Sequence, residues 1–368
     1  MTETHTAAVL EAYGEPLVLK TLPLPKARTG SAVIRVLATA LSPNTKANLA
    51  GVFGLAPLRT PVIPGFSAIG RIHSVGPDAT RLRQGQLIWY DFFTQSRDDP
   101  DDSIHAGFMG GHLPLEETWK NNTFAEYAEV PLERIWTLNE ELLCSTKGYS
   151  FKDLSYLGTV AIGLAGLLDM GVRCGDSVVV APATGTFGGS AVPAALSLGA
   201  KVIACGRNAK TLARMNDVFG ASGRFVTVVL TGKVDEDTVA IKAAAGGKGA
   251  DCYIDFIPPQ AVGTTHILSC LGALRHKGRA SFMGAIFSNI EIPYFLIMLK
   301  NIRIEGRCMF DRGHGEQAVK LLEAGHLVVG DRPMGGTKMH GFKLKEIHQA
   351  IDAAVEYSGW GDMVVVEP

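Results

Sequence analysis

The chain has 368 residues, of which 46% are hydrophobic and 19% are charged, and its formal net charge is −1 at pH 7. This near-neutral balance gives no reason to expect nucleic acid or an anionic membrane as a partner. A chain of this length can form two domains with sizeable cores. The first ten residues contain no basic segment followed by an apolar run, which predicts that the protein carries no secretory signal and is cytoplasmic.

The six cysteines are scattered, and none of them forms a C-x-x-C pair. Their spacing therefore predicts neither a zinc cluster nor a redox dithiol. The longest apolar stretch, residues 157–168, is interrupted by glycines and is too short to span a bilayer. We expect it to form a buried helix.

The first part of the chain is predicted to be rich in β-strands. Residues 31–40, 65–75 and 86–90 form short apolar or alternating runs separated by Pro and Gly turns. Residues 92–122 are polar, rich in Gly and Asp, and without periodicity, which predicts a long functional loop. A strand is expected again over residues 124–130, and a helix over residues 153–170.

A strand, a glycine turn, a helix and a second strand follow over residues 176–208. The Val-rich run 177–181 is typical of a parallel strand that is buried on both faces. Gly185 and Gly188 permit a sharp turn and a close approach of the backbone to a pyrophosphate at the start of the helix 188–198. Pro182 departs from the usual pattern, because it stands where such turns normally have their first Gly or Ala.

The second strand of this unit, residues 201–205, ends in Gly206, Arg207 and Asn208. NAD-binding chains usually carry Asp or Glu near this position, about 20 residues after the glycine turn. Arginine suits a 2′-phosphate instead, so the sequence predicts NADPH as the cofactor. The alternative for Arg207 is an ordinary solvated surface side chain.

The alternation of strands and helices continues to about residue 325. Strands or helices are predicted over residues 251–257, 264–271, 280–285, 302–308 and 315–324. Repeated β-α units indicate a doubly wound parallel sheet with helices on both faces. The tail differs in pattern, with a predicted strand over 337–343, a helix over 344–357 and a last strand over 362–367.

Three further segments, together with the glycine turn, carry a resemblance to a known family. They are VIRVLATALSPNTKANLAGVFG, PVIPGFSAIGRIHSVGPDATRLRQGQ and FKLKEIHQAIDAAVEYSGWGDMVVV. Together they resemble the medium-chain dehydrogenase/reductase superfamily. This resemblance implies an α/β fold with a GroES-like β-rich domain over residues 1–150 and 326–368. A Rossmann NADPH-binding domain would occupy residues 151–325, with the active site in the cleft between the two domains.

Zinc-dependent members of this superfamily carry ligands at positions that differ in this chain. The resemblance places Ser42 where those members have a Cys, and Gly65-Phe66-Ser67 where they have Gly-His-Glu. The third ligand would fall near Gly158-Thr159, where there is no Cys. Ser, Phe and Thr do not replace thiolates and imidazole. We therefore expect a zinc-independent member that binds no metal.

Zinc-free relatives include quinone reductases and 2-enoyl reductases. Their motif, which resembles N-P-S-D, matches Ser42-Pro43-Asn44-Thr45 imperfectly. Enoyl reductases of this type often have a Tyr as proton donor after the following Gly, and here Phe53 stands at that position. Because a phenyl ring donates no proton, their mechanism is not transferable unchanged.

The candidate site residues fall into three groups. Those for catalysis are Asn44, Thr45, Tyr90 and Asp91, because without zinc the charge that develops on the substrate needs hydrogen-bond donors. Those for an apolar substrate pocket are Phe53, Phe66, Phe92 and Phe93. Those for cofactor binding are Thr159, Thr184, Gly185, Thr186, Phe187, Gly188, Arg207, Asn208, Met283 and Gly284. The alternatives are ordinary turn residues for the first group and core packing for the second.

The predicted function is zinc-independent, NADPH-dependent hydride transfer to a conjugated C=C bond, or a related C=O or C=N bond, of a small apolar molecule. A zinc-free alcohol dehydrogenase or ketoreductase is a second hypothesis. A third is a non-catalytic NADPH-binding protein with a regulatory or structural role. The resemblance also implies a homodimer, formed through the sheet edge near residues 282–293.

Overall fold

The computed structural model describes residues 3–52, 56–259 and 261–368. These residues divide into two compact units. The first comprises Met1–Gly158, Lys338–Ser358 and Asp362–Pro368, and the second comprises Thr159–Thr337 and Gly359–Gly361. The expected domain boundaries were 150/151 and 325/326, and they did not anticipate that the short segment 359–361 groups with the second unit.

The first unit is built mainly from antiparallel strands. Its elements up to residue 155 are β1 (Thr4–Val9), β2 (Val18–Pro23), β3 (Ser31–Ala40), α1 (Thr45–Leu49), β4 (Ala68–Val75), β5 (Leu87–Tyr90), β6 (Phe93–Gln95), β7 (Ser103–His105), α2 (Leu113–Trp119), β8 (Tyr127–Pro131), β9 (Ile135–Thr137) and α3 (Phe151–Ser155). Strands β3, β4, β5 and β9 pair in that order, and β8 pairs with β3. Eight of the ten residues of β3 are buried, so this central strand is covered on both faces, whereas four of the eight residues of β4 are buried.

The helix α4 (Leu157–Asp169) follows α3 and is apolar along most of its length. The stretch Phe151–Asp169 is long and apolar enough to cross a membrane by length and composition alone, but most of it is buried inside the protein. This agrees with the predicted buried helix. The start of α3 is fixed by Ser150 and Asp153, whose side chains each accept a hydrogen bond from the other's backbone N–H.

The second unit alternates strands and helices, as predicted. Its elements are β10 (Ser177–Ala181), α5 (Thr186–Ser197), β11 (Lys201–Gly206), α6 (Ala209–Phe219), β12 (Phe225–Val229), α7 (Val234–Ala244), β13 (Ala250–Asp255), α8 (His266–Ala273), β14 (Leu274–Phe282), α9 (Tyr294–Lys300), β15 (Arg303–Gly306) and α10 (Arg312–Ala324). In the described part of the chain the strands form one sheet in the order β12-β11-β10-β13-β14-β15, and all of these pairs are parallel. The predicted α/β fold class is confirmed.

The chain then returns to the first unit with β16 (Lys338–Lys343), α11 (Ile347–Glu356) and β17 (Asp362–Glu367). Strand β17 pairs with β16 in parallel and with β3 in the antiparallel sense. The last strand has the predicted bounds. The strands β16 and β17 therefore extend the sheet that contains β3, β4, β5 and β9.

One prediction of local structure was wrong. The segment 92–122, expected to be a loop, contains the paired strands β6 and β7 and the helix α2. These elements are too short to show periodicity, and α2 is held partly by a contact with a distant segment of the chain. The Glu116 carboxylate, which is 3% exposed, accepts hydrogen bonds from the backbone N–H groups of Arg59 and Gly111.

Candidate cofactor and active sites

The glycine turn lies at the carboxyl end of β10, in the second unit. Helix α5 begins at Thr186, with Gly185 as its N-cap residue and no side-chain cap. A Cβ added to Gly188 would lie 2.0 Å from the carbonyl oxygen of Pro182, whereas one added to Gly185 would have no neighbour within 4 Å. The helix therefore packs directly on the turn through Gly188, and a side chain at Gly185 would meet no neighbour. A helix N-terminus of this kind fits the pyrophosphate of a dinucleotide.

The turn is close to the carboxyl end of the neighbouring strand β11. A Cβ added to Gly206 would lie 2.8 Å from the Thr184 side chain. Arg207 follows at once, is exposed, and makes no hydrogen bond or ion pair with any described residue. The Asn208 side chain accepts a hydrogen bond from the Thr211 backbone N–H at 3.1 Å and so caps α6. Asn208 is therefore engaged in capping α6, whereas the charged group of Arg207 is exposed to solvent.

Met283 and Gly284 lie at the same edge of the sheet, after β14. The Met283 N–H donates to the carbonyl oxygen of Asp255 at 3.0 Å, at the end of β13. A Cβ on Gly284 would lie within 2.7 Å of the Ile257 backbone, so only glycine fits. This is the edge at which open parallel sheets bind ligands.

Thr159 contributes through its backbone, since its carbonyl oxygen accepts a hydrogen bond from the Ser190 hydroxyl of α5 at 3.1 Å. Thr186 is buried, and Phe187 is half-buried in the first turn of α5. The structure thus groups the predicted cofactor residues along the carboxyl ends of β10, β11 and β14.

Sequence reasoning missed one element of this site, the segment Gly359–Gly361. The Trp360 N–H donates to the carbonyl oxygen of Thr184 at 3.0 Å, and Gly359 pairs with Gly185. The sequence pattern predicts that the segment belongs to the other domain, because it lies between a helix and a strand of that domain. The isolated Gly-Trp-Gly sequence was the signal that could have marked it.

In the first unit, two of the predicted pocket phenylalanines pack together. The Phe66 and Phe92 rings have centroids 5.4 Å apart, and Phe108 and Phe124 complete the group around Phe66. Phe93 packs instead against His105, at 5.0 Å. Phe66, Phe92 and Phe93 are all less than 10% exposed, so they form a packed aromatic cluster. Phe53, the fourth predicted pocket residue, lies outside the described residues.

Two of the predicted catalytic residues are at the start of α1. The Thr45 hydroxyl donates to the carbonyl oxygen of Ser42 at 2.6 Å, and the Asn44 backbone N–H donates to the Ser42 hydroxyl at 3.2 Å. Thr45 is buried, and its hydroxyl is used within the turn. Asn44 is half-buried, and its side-chain amide makes no hydrogen bond with a described residue.

Of the other two, Tyr90 is the last residue of β5 and Asp91 follows it, and both are buried. Burial raises the pKa of the Tyr90 phenol, which therefore stays protonated. The Asp91 carboxylate accepts a hydrogen bond from Arg134 at 2.7 Å, and both side chains are less than 10% exposed. Burial raises the pKa of the Asp91 carboxyl, and Arg134 opposes that rise. Sequence reasoning did not identify Arg134, which lies 43 residues further along the chain.

His105 adds a titratable group to this buried pair. Its ring lies against Phe92 and Phe93, and its Nδ1 has no hydrogen-bond partner among the described residues. Desolvation, with a smaller effect of Arg134, lowers the pKa of His105 to about 4. The imidazole is therefore neutral at pH 7.

Ser67, one of the positions that the resemblance aligns with zinc ligands, is hydrogen-bonded within the first unit. The Ser67 hydroxyl accepts a hydrogen bond from the Trp89 indole at 2.6 Å and donates to the carbonyl oxygen of Tyr90 at 2.9 Å. A Cβ on Gly158 would lie 2.4 Å from that hydroxyl. Across the described residues, no three His, Cys, Asp or Glu side chains are close enough together to hold a metal ion.

Two family models match the chain. The model for the alcohol dehydrogenase GroES-like domain matches residues 28–140, and the model for the zinc-binding dehydrogenase domain matches residues 187–324. Together the two matched ranges cover more than half of the chain.

Two curated relatives are similar over different lengths. The chain is 24% identical over 337 residues to an alcohol dehydrogenase of Rhizobium meliloti (strain 1021), an alignment that covers 88% of this chain and 89% of that protein. It is 29% identical over 195 residues to the 2-methylene-furan-3-one reductase of Solanum lycopersicum, covering 51% of this chain and 46% of that protein.

Two solved structures match over almost the whole chain. An NAD-dependent alcohol dehydrogenase has a TM-score of 0.75 at 20% sequence identity, and the match covers 99% of both chains. A candidate zinc-binding dehydrogenase from Sinorhizobium meliloti 1021, solved with NADP bound, has a TM-score of 0.76 at 18% identity and 100% coverage of both chains. At these identities the likeness shows the fold.

An antiparallel β unit, a parallel-sheet unit with a glycine turn at a helix N-terminus and the two family matches together define an oxidoreductase of the NAD(P)-binding type. The chain belongs to the alcohol dehydrogenase family of the medium-chain dehydrogenase/reductase superfamily. The predicted superfamily and its two fold types are therefore confirmed.

Proposed function

We propose that this protein is a zinc-independent, NADPH-dependent reductase that transfers a hydride to a conjugated C=C bond of a small apolar molecule. The observation that carries this proposal is the exposed Arg207 guanidinium at the carboxyl end of β11, next to the glycine turn. NADPH would supply the hydride, and the residues of this edge of the sheet would hold it.

The preference for NADPH follows from the charge at the end of β11. An acidic side chain there would bind a ribose 2′-hydroxyl, whereas a guanidinium binds a 2′-phosphate through charge-assisted hydrogen bonds. The amino end of α6, which Asn208 caps, adds a favourable helix dipole for an anion. The NADP-bound relative described above is consistent with this choice.

The experiment is to measure the dissociation constants of NADPH and NADH for Arg207→Ala. We expect the Kd for NADPH to rise by about tenfold to a hundredfold, because the variant loses a hydrogen bond to a charged group. The Kd for NADH should stay within about twofold of the wild-type value. Arg173→Ala is the matched control, because Arg173 is exposed near the opposite end of β10. An unchanged ratio of the two constants in Arg207→Ala would exclude the 2′-phosphate assignment.

Zinc independence is supported by the groups that stand at the ligand positions. Ser67 already makes two hydrogen bonds, and a side chain at Gly158 would collide with it. Phe66 offers no ligand atom and packs in the aromatic cluster. These groups do not fit a zinc ion, which prefers thiolate and imidazole ligands. Metal analysis of the purified protein should find far less than one zinc per chain, and stoichiometric zinc would contradict this part of the proposal.

The type of bond reduced is argued from one relative. The similar tomato protein is a 2-methylene-furan-3-one reductase, and this similarity favours reduction of a conjugated C=C bond. The second candidate is an alcohol dehydrogenase or ketoreductase, which the similar Rhizobium protein favours. Among the four polar residues, Asn44 has the side chain least engaged within the protein. We therefore assign it the role of hydrogen-bond donor to the substrate oxygen.

A homodimer is proposed through the edge of the second unit's sheet. Exposed apolar side chains cluster on α9 and the segment before it: Phe287, Ile292, Tyr294, Phe295, Met298 and Leu299. A patch of this kind on a soluble protein marks an interaction surface. Sedimentation of Phe295→Glu should show a shift from dimer to monomer, and a wild-type protein that sediments as a monomer would contradict the dimer.

A further inference from the structure

Trp360 lies beneath the glycine turn, although its neighbours in sequence belong to the other unit. The side chain is 3% exposed, while Gly359 beside it is exposed. The Trp360 N–H donates to the carbonyl oxygen of Thr184 at 3.0 Å. The segment thus attaches its backbone to the turn and places the indole in the core of the second unit.

The indole also contacts helix α5. A Cβ on Gly189 would lie 2.2 Å from the Trp360 ring, and one on Gly336 would lie 2.8 Å from it. Both glycines therefore leave the space that the ring fills. Because Gly189 is in the first helical turn of α5, the position of the ring determines where this part of the helix lies relative to the glycine turn.

The same ring packs against helix α6. The Phe219 and Trp360 ring centroids are 5.7 Å apart, and the Arg214 guanidinium carbon lies 5.8 Å from the indole centroid. The second distance is within the range of a cation–π interaction. Helix α6 begins directly after Arg207 and Asn208, so the indole joins the helix that follows Arg207 to the turn that precedes α5.

We propose that Trp360 is a positioning residue for the dinucleotide, which fixes the spacing between the glycine turn and the amino end of α6. The pyrophosphate and the 2′-phosphate would bind to these two elements at the same time, so an error in their spacing weakens binding of both groups together. This inference rests on the proposed NADPH function. It adds a specificity role for a residue that does not itself touch the cofactor.

The test measures Kd for NADPH and NADH on Trp360→Leu and Trp360→Phe, at a temperature well below the unfolding transition of each variant. Leucine keeps an apolar side chain but has no flat ring, so we expect the Kd for NADPH to rise by about tenfold, since small misplacements of binding groups are costly. The Kd for NADH should rise by about threefold or less, because NADH does not use the α6 end. Phenylalanine should restore binding to within about threefold of wild type.

Trp119→Leu is the matched control, because Trp119 is a partly exposed tryptophan of the first unit. A folded Trp360→Leu with wild-type constants for both nucleotides would overturn the proposal. An equal loss of affinity for both nucleotides would also overturn it, because it would show a structural role only. If Trp360→Leu does not fold, Gly189→Ala decides, because its methyl group pushes on the ring. A weaker preference for NADPH over NADH in Gly189→Ala supports the proposal, and an unchanged preference overturns it.

The outcome also separates this inference from the proposed function. A wild-type protein that binds neither nucleotide would overturn both. A wild-type protein that prefers NADPH, with a Trp360→Leu variant that has the same preference, would overturn the inference alone.

Discussion

Two strand ends, that of β11 in the second unit and that of β5 in the first, differ in whether their charged side chain is paired within the protein. At β11, Arg207 is exposed and has no partner among the described residues. At β5, Asp91 is buried and paired with Arg134. Both residues follow a strand and both were predicted to act on a ligand. The comparison shows that the end of a strand determines the position of a side chain. Whether that side chain is free to bind a ligand depends on the partners that distant segments contribute.

The largest effect is expected from breaking the buried pair at β5. Arg134→Leu leaves the Asp91 carboxylate buried without its cation, which should lower the free energy of unfolding by about 3–5 kcal/mol. Lys46→Ala removes an ion pair with Asp352 in which both side chains are more than 60% exposed, and it should cost about 1 kcal/mol or less. Urea unfolding of both variants gives the comparison. Equal losses would mean that the Asp91–Arg134 pair is not desolvated.

The second effect is a pH dependence that comes from His105. Its pKa is about 4 in the folded protein and 6.5 ordinarily, so between these values the unfolded chain binds a proton that the folded chain does not. Stability therefore falls as the pH drops from 6.5 to 4, by about 3 kcal/mol from this group, and is unaffected by it above pH 6.5.

The measurement is the free energy of unfolding between pH 4 and pH 7.5 for the wild type and for His105→Phe. The variant should lose less stability than the wild type as the pH falls. His276→Gln, at an exposed position, should follow the wild-type curve. Parallel curves for the wild type and His105→Phe would show that His105 titrates in the folded protein as it does in the unfolded chain.

The third effect tests the glycine turn of the second unit. Gly188→Ala places a methyl group 2.0 Å from the Pro182 carbonyl oxygen and should lower the free energy of unfolding by about 1–3 kcal/mol. Gly185→Ala meets no atom within 4 Å and has an ordinary negative φ, so its stability should match the wild type. Thermal unfolding separates the two variants. Equal melting temperatures would contradict the close packing of α5 on the turn.

The smallest effect concerns Asn44. If its amide donates a hydrogen bond to the substrate oxygen, Asn44→Ala should lower kcat by about tenfold and leave the melting temperature unchanged. Asn48→Ala is a useful contrast, because Asn48 donates to the carbonyl oxygen of Phe108 at 2.7 Å and should affect stability instead. An Asn44→Ala variant with wild-type kcat would remove Asn44 from the site.

The parts of the fold that local pattern determines could be predicted from the sequence. The Val-rich strand β10 and the turn to α5 followed from residues within a short span, and so did the last strand β17. The strands β1 and β2 were not predicted. The exposed face of β2 gives no alternating pattern, and its pairing with β1 depends on residues on both sides of a turn.

Less of the site could be predicted from the sequence, because several of its contacts join residues that are far apart in the chain. Gly188 and Arg207 lie where the strand-turn-helix pattern puts them. The partners of Asp91 and Ser67 could not be inferred, because Arg134 and Trp89 approach them only through the pairing of β4, β5 and β9. Trp360 was missed because it is far in sequence from the turn that it supports.

The most direct test of the proposed activity is NADPH oxidation by metal-depleted protein with a conjugated enone, followed by identification of the product. The proposal predicts that NADPH is consumed, that the C=C bond is saturated while the carbonyl remains, and that a chelator does not change the rate. Reduction of the carbonyl instead, or activity that requires added zinc, would contradict it. Tight NADPH binding without turnover across enones, quinones, ketones and imines would favour a non-catalytic role.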